Sequence, residues 1–568
     1  MSISTVVVRT LLCALAFTAM PLRAQTIGSA NTVTADPPLR RPPGTPCVVT
    51  LFTSFTFADF SAKPFNYTPP AGCPGPYRKI VFQADWSVTA GRQFDRTANV
   101  WIGGANVYFG TTAEPSRKVS RSWHVERDLT DYAPLFASPQ PGRADLGNLV
   151  DSTFTGVLHG TASLQFYRRA AEEDEGDDDE AGSSRSSDLV LPFSAGPSGG
   201  TVALDNPASK LSRTFTLPRN VERAALDVIA QSQSGDEFWY SCVPDDVKGP
   251  LQSCGGGPFR ETQVSIDGIP AGVAPVYPWI YTGGIDPFLW RPIPGVQTLN
   301  FNAYRVELTP FAGLLSNGAP HTISLSVFGA NGFFATTATA LLWLDHDASQ
   351  VTGAVTVNTL GAPAPRTAEN LTTAKDGTIT GTVGVTSSRS FTVAGWVKTS
   401  HGRVETAVTQ TIDFSNLQTF DITLSGSLYE QDIAQSTAIS SVVRTRGHGA
   451  RRERTERASW PLSLKFSFTV ADDGSAAQTT TIRQEDAETT TISRDGEVVF
   501  SSILDNVVTP NDILPFSPSG AVLPPQNQSS AQSFFSADST GACYSRSIAA
   551  AGGVLTSVVD GRGCEEDR

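Results

Sequence analysis

The sequence lacks the motifs that most often announce a chemistry. It has no HExxH pair for zinc, no phosphate-binding P-loop and no Rossmann glycine fingerprint. Its six histidines, His124, His159, His321, His346, His401 and His448, are scattered. They offer neither a metal cluster nor a Ser–His pair, so no metal and no cofactor is expected. Asp345-His346-Asp347 comes nearest to a ligand set, but it reads as the polar terminus of an apolar strand. Gly196-Pro197-Ser198-Gly199-Gly200 fits GxSxG only in letters, without the strand-to-helix setting of a nucleophile elbow. No CxxC occurs. No heptad or repeat array is present, and no run after the first residues approaches the roughly 20 apolar residues of a spanning helix. Positive charge is in deficit, with 42 Lys and Arg against 55 Asp and Glu. That balance argues against nucleic acid as the partner.

What is there favours strands and turns. The 568 residues are rich in Gly, Pro, Ser and Thr, contain two Met, and are 40% hydrophobic. Several domains with proper cores are the expectation at this length. Residues 1–24 read as a signal peptide: Arg9, an apolar core from Leu11 to Met20, then Ala24 after Leu22-Arg23. A secreted or periplasmic protein follows, with no membrane anchor once the signal is removed. Of seven cysteines, Cys13 would leave with the signal. The other six form local couples: Cys47 with Cys73, Cys242 with Cys254, Cys543 with Cys564. An even count in an exported chain points to disulfides, although other connectivities stay open.

Residues 25–45 are a Pro-rich, extended lead-in. From residue 46 to 210, short runs such as Val48–Phe52, Lys79–Val88, Asn99–Phe109 and Leu158–Phe166 give the rhythm of a β-sandwich or jelly roll. An acidic insertion at 170–188 has no apolar period and reads as solvated. A second β-unit spans 211–348. Residues 349–568 form a Thr- and Ser-rich β-unit, in which the Arg-rich stretch 444–457 reads as a solvated hairpin tip. The fold class expected is all-β.

Carboxylates beside aromatics are what remain for chemistry. Asp95 and Arg96 follow Phe94 and precede the apolar run Val100-Trp101-Ile102. Asp236-Glu237-Phe238-Trp239-Tyr240 and Asp286-Pro287-Phe288-Leu289-Trp290-Arg291-Pro292 look like partner segments. Aromatic neighbours desolvate a carboxyl and raise its pKa, which suits acid or base work. Trp and Tyr also offer flat faces to sugar rings.

Several segments carry a resemblance. They are Ala90-Gly-Arg-Gln-Phe-Asp-Arg96, Trp101-Ile-Gly-Gly104, Thr112-Ala-Glu-Pro-Ser-Arg117, Asp145-Leu-Gly-Asn-Leu-Val150, Asp236-Glu-Phe-Trp-Tyr240, Gly257-Pro-Phe-Arg-Glu261, Tyr281-Thr-Gly-Gly284 and Leu289-Trp-Arg-Pro292. Over about residues 46–348 and in this order they resemble the peptide-N-glycosidase A family. A more distant likeness to peptide-N-glycosidase F rests on Phe94-Asp95-Arg96, Ala98-Asn99-Val100, Glu237 and Phe259-Arg260.

The resemblance implies two adjacent eight-stranded jelly rolls with the active site in the groove between them. It implies hydrolysis of the bond between Asn and the first GlcNAc of an N-glycan, on N-glycosylated peptides and glycoproteins. Asp95 matches the primary catalytic Asp and Glu237 the second carboxylate; Arg96 and Arg291 match site arginines. Either acid is open to the role of base. A third acid of the first domain has no clean match; Asp151, with Asn148 nearby, is the candidate. Trp290, Trp239 and Tyr240 are candidates for stacking on the sugar, and Arg260 for binding it. A monomer is expected.

Two other readings use the same residues. A carbohydrate-binding protein on the same jelly rolls would keep the aromatics without needing both acids. A glycosidase cutting an O-glycosidic bond would also use two carboxylates.

Overall fold

A computed structural model describes residues 26–169, 185–447, 449–561 and 563–564. The signal segment at 1–24 with Cys13, the acidic run 172–180 and His448 lie outside the described residues.

Period-two burial builds the first sandwich. In Leu158–Arg168, Leu158, Gly160, Ala162, Leu164 and Phe166 are buried while the residues between them are half-exposed. One four-stranded sheet runs Cys47–Phe57, Leu158–Arg168, Tyr77–Val88, Arg121–Asp128. The other runs Lys63–Tyr67, Gln140–Leu146, Thr97–Ile102, Ala105–Thr111. In chain order these are strands 1, 8, 3, 6 facing strands 2, 7, 4, 5, the interleaving of a jelly roll.

The second sandwich repeats the pattern. Val202–Leu204, Phe333–Leu344, Val221–Gln233 and Tyr304–Glu307 face Leu211–Thr216, Pro320–Phe328, Glu261–Ile266 and Ile269–Pro275. Leu189–Phe193 pairs with residues 338–342 and Val202–Leu204 with residues 334–336, so both lie along one strand. They are a first strand broken by Ser194–Thr201. The start read from the sequence at 211 therefore falls inside this sandwich: the opening strand is too short and interrupted to show a period.

The remaining strands form one antiparallel sheet of 12 strands, from Thr352–Asn358 to Val554–Asp560. Its two longest, Ile379–Thr399 and Gly402–Ile422, pair along their whole length. Its inner face does not make a core of its own. Phe391, Phe414, Ile433, Leu464 and Ile482 share one core with Trp239, Phe259, Trp279 and Phe311 of the second sandwich. Side-chain amides reinforce the seam: Asn416 donates to Tyr240 O at 2.8 Å, Gln418 to Cys242 O at 2.9 Å, and Gln484 to Pro278 O at 2.8 Å. The lead-in lies along the same sheet. Gln532 accepts the Ala35 N–H at 2.7 Å, Gly28 N–H donates to Leu555 O at 2.7 Å, and Leu555 N–H returns to Ser29 O at 2.9 Å.

The two sandwiches meet along Ala105–Thr111. Thr111 N–H donates to Thr298 O at 2.9 Å, Phe301 N–H to Phe109 O at 2.8 Å, and Tyr108 Oη–H to Leu299 O at 2.7 Å. Bridges join Cys47 to Cys73, Cys242 to Cys254 and Cys543 to Cys564. The Arg-rich stretch is a hairpin of Leu428–Gly447 and Ala450–Ser459, with Arg444 on Glu453 at 2.7 Å. Asp345 accepts the N–H and O–H of Ser400, at 2.6 and 2.7 Å, so its carboxylate is committed to the strand terminus.

Candidate active site

Asp95 and Glu114 are brought together by a hairpin. Thr97–Ile102 and Ala105–Thr111 pair with Thr97 opposite Thr111, so the residues before the first strand and after the second share one end. The Asp95 N–H points at Glu114 Oε2, at 3.3 Å, and the Arg96 N–H at Thr112 Oγ1, at 2.9 Å. Arg96 stays beside Asp95, its guanidinium held by Gln93 Oε1 at 2.9 Å.

The second sandwich closes over that end. Gln231 and Gln233, at the end of Val221–Gln233, both donate to Thr97 Oγ1, at 3.2 and 3.1 Å. The chain then turns, with Ser234 at φ 54°. Asp236 fixes the turn: its carboxylate accepts the N–H groups of Asn331 and Gly332 at 2.8 and 2.6 Å and pairs with Arg260 at 2.9 Å. Glu237 follows, half-buried, close enough for the Asp95 charge to act on it.

The loop between Ile269–Pro275 and Tyr304–Glu307 supplies the rest. Gly283 N–H donates to Asp95 Oδ2 at 3.0 Å. Arg291 Nη2 reaches Glu114 Oε1 at 3.1 Å and Pro115 O at 2.8 Å. Thr282 Oγ1–H donates to Thr112 O at 2.7 Å and locks the loop to the hairpin.

Gly283 is required by close approach. A Cβ there would stand 2.4 Å from Asp95 Oδ1 and 3.1 Å from Glu114 Oε2. Gly283→Ala is therefore expected to push Asp95 aside and to lower kcat by roughly 100-fold, the scale of a 1 Å misplacement. The melting temperature, measured alongside, should hold, since Gly283 is half-exposed rather than in the core.

Three carboxyls thus share a partly buried site, and all are held above their ordinary range. Burial first, then the Asp95 charge, pushes Glu114 up to about 8 against the opposing Arg291. The same two causes push Glu237 up to about 7. Burial raises Asp95 as well, opposed by the Gly283 N–H and the Arg96 charge. Such a group of acids can divide labour, one ionised and the others holding protons.

Asp95, Arg96, Glu237 and Arg291 converge here; other candidates stand elsewhere. Trp239 and Tyr240 are 0% exposed and Trp290 2%, their rings packed in the core. They leave no face for a sugar ring, because hydrophobic burial uses both faces of each. Arg260 is spent on Asp236, both side chains inaccessible. Asn148 is buried, donating to Phe57 O and Gly156 O at 3.0 and 3.3 Å. Asp151 is an exposed turn residue capping the N–H groups of Thr153 and Phe154, at 2.7 and 2.8 Å. Rings left partly accessible near these residues include Phe94, 50% exposed, and Phe154, whose centroids lie 5.4 Å apart, and the half-exposed Phe238 and Phe288.

Glu114 has no role assigned by the sequence alone, although its segment is among the matched ones. A signal is present: it is the one charge between Ala105 and Pro115, a run otherwise uncharged and mostly apolar. A carboxylate placed there is either paired or functional. Gly283 lies in the resembling segment Tyr281-Thr-Gly-Gly284, but no letter assigns a role to its N–H, because backbone donors leave none.

The chain is similar to several known proteins. Peptide-N4-(N-acetyl-β-glucosaminyl)asparagine amidase A of Prunus dulcis is 34% identical over 393 residues, 67% of each chain. Among solved structures, PNGF-II overlaps 53% of this chain and 65% of its own at 13% identity, with a TM-score of 0.35. PNGase F, a glycosylasparaginase from Flavobacterium meningosepticum, overlaps 53% of this chain and 96% of its own at 12% identity, with a TM-score of 0.33. Residues 37–359 match the family described as peptide N-acetyl-β-D-glucosaminyl asparaginase amidase A, and with the Prunus relative this shows that the chain belongs to that family.

Proposed function

We propose that this chain is an exported amidase that hydrolyses the bond between Asn and the first GlcNAc of N-glycans on peptides and glycoproteins. The observation that carries the reading is the meeting of Asp95, Glu114 and Glu237 with Arg96 and Arg291 between two jelly rolls. The three bridged cystine pairs support export.

Amide hydrolysis needs an activated water, a partner for the developing oxyanion and a proton for the leaving nitrogen. Asp95 is supported in its ionised form by the Gly283 N–H and the Arg96 charge. It takes a proton from water as the water oxygen bonds to the Asn carbonyl carbon. The oxyanion forms beside the cationic groups Arg96 and Arg291. Glu237 keeps its proton up to about 7 and gives it to the glycosylamine nitrogen as the C–N bond breaks. The peptide retains Asp in place of Asn. The released glycosylamine then exchanges its amino group for water and frees ammonia. Glu114 holds Arg291 on one carboxyl oxygen and receives the Asp95 N–H on the other, so it positions both.

The test is the mass of the peptide after incubating an N-glycopeptide with the protein at acidic to neutral pH. A peptide carrying Asp where Asn stood, with the glycan gone, is the expected product. A single GlcNAc left on the Asn would mean that the bond cut is glycosidic, and would sink the amidase reading.

A further inference from the structure

The loop carrying Gly283 and Arg291 rests on the C-terminal sheet, which the reaction above does not otherwise use. Gln528 donates from its side chain to Phe288 O at 2.5 Å and lies 3.4 Å from Arg291 O. Asp286, on the same loop, meets Asp512 of the strand Glu497–Phe516 carboxyl to carboxyl. Both residues are 1% exposed. The Phe288 N–H occupies Asp286 Oδ1 at 2.8 Å. Asp286 Oδ2 and both Asp512 oxygens have no donor from any other described group.

Two carboxyls in contact away from water cannot both be ionised without repulsion; one shared proton turns the repulsion into a hydrogen bond. The charged group facing the pair is Arg291, from the loop itself, and it favours the ionised form of Asp286. The neighbours of Asp512 across the sheet are neutral: Thr480 on one side, with Ser529 and Gln526 opposite Asn511 and Ile513 on the other. Asp512 is thus the partner that keeps the proton.

We propose that Asp512 and Gln528 are positioning residues for the catalytic loop, with Asp512 latching it by donating a shared proton to Asp286. The role in catalysis rests on the amidase reading; the latch itself does not. Burial and then the Asp286 charge push Asp512 up to about 7. Above that pH the second proton leaves, two charges face each other, and the loop that aims Gly283 and Arg291 loses its anchor.

The experiment is hydrogen–deuterium exchange of backbone amides 281–292 in the full chain, corrected for chemical exchange, at about pH 5 and about pH 8.5, either side of the pair's titration. Wild type is expected to exchange at least roughly tenfold faster at the higher pH, through local opening. Asp512→Asn keeps the hydrogen bond without a titrating group, and should hold the loop equally at both. Asp512→Ala and Gln528→Ala should each lower kcat on an N-glycopeptide at about pH 5 by roughly 10- to 100-fold, with KM little changed, and Asp512→Asn should restore it. The proposal is overturned if Asp512→Asn opens with pH as wild type does, or if both alanine variants keep wild-type kcat. Exchange needs no turnover. A wild type that releases no glycan would therefore remove the amidase reading while leaving the latch to be judged by its amides.

Discussion

Asp95→Asn is expected to lower kcat on an N-glycopeptide by roughly 100- to 10,000-fold, the range of a lost acid–base group, with KM within a few-fold of wild type. The asparagine keeps the shape and still accepts the Gly283 N–H, so the loop should stay in place. It cannot take a proton from water. It also removes a negative charge that acts on both neighbours: burial is the larger cause of the raised Glu237 and Glu114, and the Asp95 charge is the second. The residual activity should therefore lose its alkaline limb at lower pH than wild type, because Glu237 gives up its proton earlier. Glu237→Gln should show a comparable fall in kcat, with the alkaline limb flattened. Full kcat and KM profiles against pH for the three proteins check this. An Asp95→Asn variant within tenfold of wild type would place the base elsewhere.

The second large effect is on stability. Buried carboxyls cluster where the lead-in, the second sandwich and the 12-stranded sheet meet, as well as around Asp95. Asp486 is pushed up to about 6 and Glu488 to about 8, mainly by burial. Asp36 is raised by burial against hydrogen bonds from Asn506 and Gln532. Groups raised in the folded state bind protons more tightly there than in the unfolded chain. Their contribution is fully present below the ordinary carboxyl range, near pH 4, and is lost as pH rises through the folded values, from about 6 to about 8. A tenfold tighter hold on one proton is worth about 1.4 kcal/mol, and because these acids interact, the sum is on the order of several kcal/mol rather than a simple total. Glu126 works the other way: against opposing burial, His124 and Arg41 hold it down at about 2, so its contribution is full above the ordinary carboxyl range and is lost as pH falls from there to about 2. Maximum stability is expected at mildly acidic pH. A melting temperature that rises from pH 5 to about pH 8 would contradict that sign.

Much of the fold was legible because period-two burial is written directly in the letters. Leu158–Phe166 and His321–Val327 show it, and both lie in half-buried strands. Val221–Gln233 is buried almost throughout, so it has no alternation to read. Asp95, Glu237, Arg96 and Arg291 were singled out through matched segments, whereas Glu114, in such a segment too, was passed over for Asp151, an exposed turn residue. The aromatics misled, because Trp239, Tyr240 and Trp290 are as useful to a core as to a sugar, and letters do not separate the two. Asp512 stands 226 residues after Asp286, in a Thr- and Ser-rich stretch with no local feature that couples them. Only the shared core of the sheet and the second sandwich brings that pair together.

An open sheet of this size has two rims, and an unpaired rim invites another molecule to add a strand. One rim, Val554–Asp560, is met at its start from within: Gly28 and Ser29 of the lead-in take the C=O and N–H of Leu555. The other is shared by Thr352–Asn358 and Arg366–Thr373, which pair with the two ends of Ile379–Thr399; both are mostly exposed, and the second carries Arg366, Glu369 and Asn370, charged and amide groups that make stacking of copies unfavourable. The lead-in therefore does more than join the sandwiches to whatever precedes them. It covers the first open backbone pair of that border, and its loss is expected to leave Leu555 free to take a strand from another molecule.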